Sequence, residues 1–191
     1  MTSGAAPCRR VWDPLVRSLH WALVAAYAAA WATTVAFGGS HEAVGYVGLA
    51  IVGVRVVWGF VGPVPARFSS FVRAPPATSA YLRRVAARSE PRHLGHNPAG
   101  AWMVVVLLAC MVALAFTGWL YRTDRFWGSA EVELAHRLLA WASVALVALH
   151  VAGVVYTSLR HRENLVAAMW SGRKRPATGD DVDLPQRPDA R

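Results

Sequence analysis

Residues 136–150 read HRLLAWASVALVALH, an apolar run closed at each end by a histidine. In an α-helix, 150 − 136 = 14 residues is about four turns, so both imidazoles lie on one face, about 21 Å apart along the axis. Leu139, Ala140, Ser143, Leu146 and Val147 lie between them on that face, and the small ones let a flat ring or another helix come close. The apolar character extends over about 132–158, enough at about 1.5 Å per residue to cross the ~30 Å hydrocarbon core of a bilayer. An ionisable side chain at that depth is costly and is a functional candidate by default.

Three further apolar stretches precede this one, at about 18–37, 41–61 and 98–120. Each reaches the roughly 20 residues that a spanning helix needs, so the expected fold is an all-α, integral membrane four-helix bundle. The first is longer than a signal-peptide core and reads as a retained helix. Composition agrees, since 55% hydrophobic against 16% charged is too apolar for an ordinary soluble domain. The net charge of +9 raises the question of nucleic acid, but the apolar runs separate the basic residues, so no nucleic-acid partner is expected. Cys8 and Cys110 are the only cysteines. That excludes a disulfide framework, a cysteine-rich cluster and covalent haem attachment.

The basic residues give orientation instead. Three arginines precede the first span (Arg9, Arg10, Arg17), six lie between the second and third (Arg67, Arg73, Arg83, Arg84, Arg88, Arg92), and seven Lys/Arg run from Arg160 onward. Only Arg122, Arg125 and, just inside the last span, Arg137 lie on the other side. Lys and Arg collect on the cytoplasmic side of short loops, so both termini are expected in the cytoplasm of a bacterial inner-membrane protein. The chain then divides into a cytoplasmic N-terminus (1–17), a membrane domain (18–175) and a polar, proline-containing tail (176–191) expected to be disordered. Five prolines break the inner loop 62–97. Within it Thr78 is a candidate cap for a short basic helix from Ser79 to Arg88, either on the anionic membrane surface or in a solvated loop.

This topology pairs the histidines by depth. His20 enters from the cytoplasmic side and meets the level of His150, while His41 starts from outside and meets the level of His136. Two neutral imidazoles fill both axial positions of a haem iron, and a six-coordinate iron favours electron transfer over oxygen chemistry. The candidate metal ligands are therefore His20, His41, His136 and His150, holding two haem b groups between the helices. Arg55, 14 residues after His41 on the same helix face, suits a haem propionate, or else snorkels to the inner headgroups. Gly45, Gly48 and Gly53 permit close approach of a ring, and glycine is also simply common in membrane helices. His93 and His96, ahead of the Asn97-Pro98 helix start, read as packing and capping residues or as part of a quinone site; His161 reads as facing headgroups. Several tryptophans near span ends fit interfacial belts.

The ordered set VWDPLVRSLHW around His20, HEAVGYVGLAIVGVRVVWGF from His41 through Arg55, RFSSFVR and LGHNPAG in the inner loop, and HRLLAWASVALVALH resembles the bacterial cytochrome b561 family together with the cytochrome b subunit of nickel-iron hydrogenases. The resemblance runs from about Val11 to Arg175. It implies a di-haem b-type cytochrome with the same two histidine pairs, quinone or quinol as redox partner within the membrane lipid, and a periplasmic or membrane redox protein, such as a hydrogenase or a c-type cytochrome, outside. Two other functions are open at this point. One is a superoxide:quinone oxidoreductase steered by Arg122, Arg125 and Arg137, against which the acids Glu42, Asp124, Glu131 and Glu133 argue. The other is a haem-free transporter or anchor.

Overall fold

The computed structural model describes residues 8–36 and 40–184. Among them are seven α-helices: α1 (Pro14–Ala36), α2 (Ser40–Val61), α3 (Phe68–Phe71), α4 (Pro75–Ala86), α5 (Pro98–Tyr121), α6 (Ala130–Arg160) and α7 (Leu165–Ser171). Two short strands, β1 (Arg9–Arg10) and β2 (Arg173–Lys174), pair antiparallel. Among the described residues three helices are long and apolar enough to cross a membrane, namely α2, α5 and α6. In the most apolar window of α6 only 6% is buried inside the protein, and in α2 and α5 only 17%. Helices of this composition leave such faces bare only where lipid is the solvent. α1 equals the others in length at 23 residues but is alanine-rich.

Local chemistry explains where the helices start. Asp13 accepts from the Val16 N–H at 3.1 Å and Pro14 fills the first position, so α1 opens four residues before the expected residue 18. Asn97 accepts from Gly100 N–H at 2.7 Å with Pro98 next, and α5 begins where the sequence signal puts it. α4 departs from expectation: it starts at the tandem Pro75-Pro76, with Thr78 inside its first turn rather than capping it. A proline pair at the start of a helix lacks only N–H groups that have no intrahelical partner anyway.

The contacts separate two compact units. The first comprises Ser18–Val57 and Met103–Val151 and contains the greater part of the long helices. Within it Ser143, fully buried, donates to the Ala140 carbonyl at 2.6 Å and lies 3.0 Å from the Tyr27 hydroxyl, joining α6 to α1.

The second unit comprises Met1–Arg17, Trp58–Trp102 and Ala152–Arg191. Its buried side chains include Val11, Trp12, Phe71, Tyr81, Leu94 and Ala168. Gly59 has to be glycine because a Cβ there would sit 2.1 Å from the Phe68 ring. α7, which sequence reading did not find, is capped by Asn164 and ended by Gly172 in the left-handed region at φ 77°.

The expectation of a disordered tail is corrected for residues 176–184. Val182 N–H donates to Arg92 O at 2.8 Å and its carbonyl accepts from Leu94 N–H at 3.0 Å. Arg92, 3% exposed at its side chain, is held by Glu163 at 2.6 Å and Asp181 at 2.8 Å, with Lys174 3.7 Å from Glu163. Polar composition signalled disorder, yet a buried arginine needs carboxylates, and the tail delivers one. Residues 185–191 lie outside the described part.

Burial opposes charge on Glu163 and Asp181, but hydrogen bonds and the Arg92 charge outweigh it, so both carboxyls lie below their ordinary range. A depressed carboxyl stabilises the fold above its unfolded value, near pH 4, and loses that contribution as pH falls through the folded value. Protection of 176–184 against hydrogen–deuterium exchange, taken relative to the intrinsic rate at each pH, is therefore expected to be high at neutral pH and to be lost progressively below about pH 4. Arg92→Ala, which takes the guanidinium from Asp181 and leaves Glu163 with Lys174, is expected to cost about 3–5 kcal/mol and to remove protection of 176–184 at neutral pH.

Candidate functional site

All four histidines singled out above fall in the first unit. The rings of His20 and His150 lie 6.5 Å apart between centroids, inclined at 57°. Those of His41 and His136 lie 6.2 Å apart at 86°. These are the two pairs expected from depth, and the 14 residues between His136 and His150 separate them by about 21 Å along α6.

Hydrogen bonds orient the second pair. His41 Nδ1 is 2.9 Å from the Ala30 carbonyl, which only accepts, so Nδ1 carries the hydrogen and donates it. His136 Nδ1 is 3.0 Å from Thr117 Oγ1, whose own hydroxyl hydrogen is directed at the Ala113 and Leu114 carbonyls. Nδ1 of His136 therefore donates as well. In both rings Nε2 is left with its lone pair, the form that binds a metal. Gly118 lies beside the His136 ring, where a Cβ would make ordinary contact with Cε1 at 3.4 Å.

Along α2, His41, Val44, Gly45, Gly48, Ile51, Val52, Arg55, Val56, Trp58 and Gly59 are the less exposed positions, most of them in a stripe with the spacing of a buried helix face. Arg55 on that stripe is 8% exposed. Gly53 is on the exposed side, so it does not belong with Gly45 and Gly48.

His93 and His96 belong to the second unit. His96 packs between the rings of Phe71 at 4.3 Å and Trp12 at 4.7 Å. His93 Nδ1 is 3.1 Å from the Pro91 carbonyl, and burial holds this imidazole below its ordinary pKa. Neighbouring Tyr81 is pushed up to about 12 by burial and by the Glu90 carboxylate. On the other side of the chain's topology, Arg122 pairs with Glu42 at 3.2 Å and Arg137 with Glu133 at 3.8 Å.

With this geometry, a comparison with family models adds the family: the model for prokaryotic cytochrome b561 matches residues 11–172. The chain belongs to the prokaryotic cytochrome b561 family. It is thus a membrane b-type cytochrome of electron transfer. No curated protein and no solved structure matches it.

Membership implies haem b, and the cytochrome's own donor set fits that group. Two imidazoles on opposite sides of one metal ion, each bound through nitrogen at about 2 Å, place their ring centroids about 6 Å apart. Both observed pairs meet that spacing. Among the described residues no three His, Cys, Asp or Glu side chains converge on a point that would hold a bare ion. Two protein ligands per site instead leave four positions for a macrocycle to fill.

Ser143 holds α1 and α6 in contact between the two histidine levels. Ser143→Leu forces a larger side chain into a fully buried position and breaks the Tyr27 hydrogen bond. It is expected to cost about 1–3 kcal/mol and to lower the thermal midpoint of the cytochrome in detergent by several degrees.

Proposed function

We propose that this cytochrome holds two haem b groups, one between His20 and His150 and one between His41 and His136, and transfers electrons between membrane quinone and a redox protein on the outer side. The observation that carries the reading is the spacing of the two histidine pairs, each about 6 Å between centroids and separated by four helical turns. Haem b, when bound, would supply one-electron chemistry, and the two histidines of each pair would hold it.

The residues of the chain do the rest. Ala30 and Thr117 fix the tautomers of His41 and His136, presenting Nε2 and raising its basicity. Arg55, buried on the His41 face of α2, pairs with a propionate, which offsets the cost of a guanidinium at membrane depth. Helix length supports α1 as a fourth span beside α2, α5 and α6, and the arginine bias supports both termini in the cytoplasm of the inner membrane. Quinone, a redox carrier dissolved in the lipid, is the partner class within the membrane. A hydrogenase or a c-type cytochrome is the partner class outside.

The superoxide reading is less well supported, because two of the three outer arginines invoked to steer an anion are already paired with carboxylates. A haem-free transporter leaves the tautomer-fixing contacts of His41 and His136 without a purpose.

A reduced-minus-oxidised spectrum of the purified protein is expected to show bis-histidine haem b at two per chain. A colourless protein overturns the proposal. His20→Ala or His150→Ala is expected to remove one haem and leave the other, and His41→Ala or His136→Ala to do the converse, read as half the pyridine haemochrome yield. Equal loss of both haems in all four variants, with the fold intact by circular dichroism, counts against the pairing.

Thr117→Val deletes the acceptor of His136 Nδ1–H and changes little in volume. Affinity at that level is expected to fall about 10–100-fold. Titration of the apoprotein with haem measures this, and the His20–His150 level serves as the internal control.

A further inference from the structure

Two cavities adjoin at the end of α6 in the second unit. One, of about 320 Å³, is lined by Arg160, Arg162 and Arg175 together with Glu90, Asp180 and Asp181. The other, of about 520 Å³, is lined by Arg88, Tyr156, Leu159 and Arg160, and Leu159 is 75% exposed. Arg160 lines both. The first is polar and the second largely apolar, the division found within a phospholipid.

The charges do not cancel. Arg92, which also lines the first cavity, is held by Glu163 and Asp181, and Arg160 Nε faces Glu90 at 3.2 Å. Arg175 donates to the His161 carbonyl and its charge acts on Asp181. Arg88 and Arg162 remain, against Asp180.

The backbone supplies an independent observation. Among the described residues two non-glycine residues have positive φ, Arg88 at 53° and Arg162 at 51°. Each follows a helix, where glycine takes the left-handed conformation without strain. Both positions carry arginine instead, and each of the two lines one of these cavities. Strain retained at two arginines beside one pair of cavities points to a ligand that needs their charge.

We propose that the two cavities form a site for one anionic phospholipid. Its phosphate lies among Arg88, Arg160, Arg162 and Arg175, and an acyl chain lies along Tyr156 and Leu159. The inference rests on the reading that the end of α6 is at the cytoplasmic surface, where anionic lipid meets basic pockets.

The test uses the purified, haem-loaded cytochrome in a mild detergent, with lipid binding read by native mass spectrometry. Phosphatidylglycerol is expected to bind one per chain and at least about tenfold more tightly than phosphatidylcholine of the same chains. Arg88→Gly combined with Arg162→Gly relieves both strained positions. It is expected to weaken phosphatidylglycerol about tenfold or more while leaving the lipid-free thermal midpoint unchanged or higher. Leu159→Trp is expected to weaken the lipid by filling the apolar groove.

Equal affinity for the two lipids overturns the proposal. So does wild-type affinity in the double glycine variant, or a lower lipid-free midpoint in it, which makes the arginines structural. Displacement of the lipid by equimolar inorganic phosphate assigns the cavity to a free anion, and displacement by a short-chain quinone assigns it to quinone; either result overturns a lipid site. Difference spectra of the same samples separate the two readings. Loss of selective lipid binding with haem bands intact defeats this inference alone, and absent haem bands with lipid retained defeat the proposed function alone.

Discussion

An imidazole placed at membrane depth must satisfy two nitrogen atoms without help from water, and the helical unit is arranged around that requirement. In His41 and His136 one nitrogen is committed to a neighbouring helix, to the Ala30 carbonyl and to Thr117. The two rings lie with their centroids 6.2 Å apart, a separation that suits a metal held by both. Ser143, fully buried between the two levels, lets α1 and α6 come close there.

The second unit answers a different constraint. Its polar side chains are buried by the inner loop and the tail, so they have to find partners within it. Arg92 gathers Glu163 and Asp181, and Glu90 gathers Tyr156 and Arg160. These contacts connect residues far apart in sequence, and they turn a loop broken by prolines into a packed layer containing Trp12, Phe71, Tyr81 and Leu94. The same layer leaves an unbalanced set of arginines around its cavities, which is what makes it a candidate surface for an acidic ligand.

Family membership and geometry bear on the function at different levels. Membership makes the chain a b-type membrane cytochrome; the histidine spacing supports a particular allocation of ligands. In physical terms, an electron carrier buried in lipid needs rigid axial ligands more than it needs an open coordination position. Fixed tautomers and a fully buried serine between helices are features of that kind.

Much of this was legible in HRLLAWASVALVALH and its neighbours. Period, span length and histidine spacing are local quantities, set by helix geometry and by the thickness of hydrocarbon, so the sequence alone determined that apolar helices carry histidines at two depths. The arginine bias similarly gives each loop an expected side. What only the tertiary structure decided depends on distant residues meeting. Thr117 and Ala30 as the partners of His136 and His41 carry no local signature, because a hydrogen-bond acceptor on another helix leaves no periodic trace. The ordered segment 176–184 was read as disordered because its composition is polar. Its order comes from one buried arginine in the inner loop, 89 residues away from Asp181 in the chain, and a contact of that range is invisible to any argument built on neighbours in sequence.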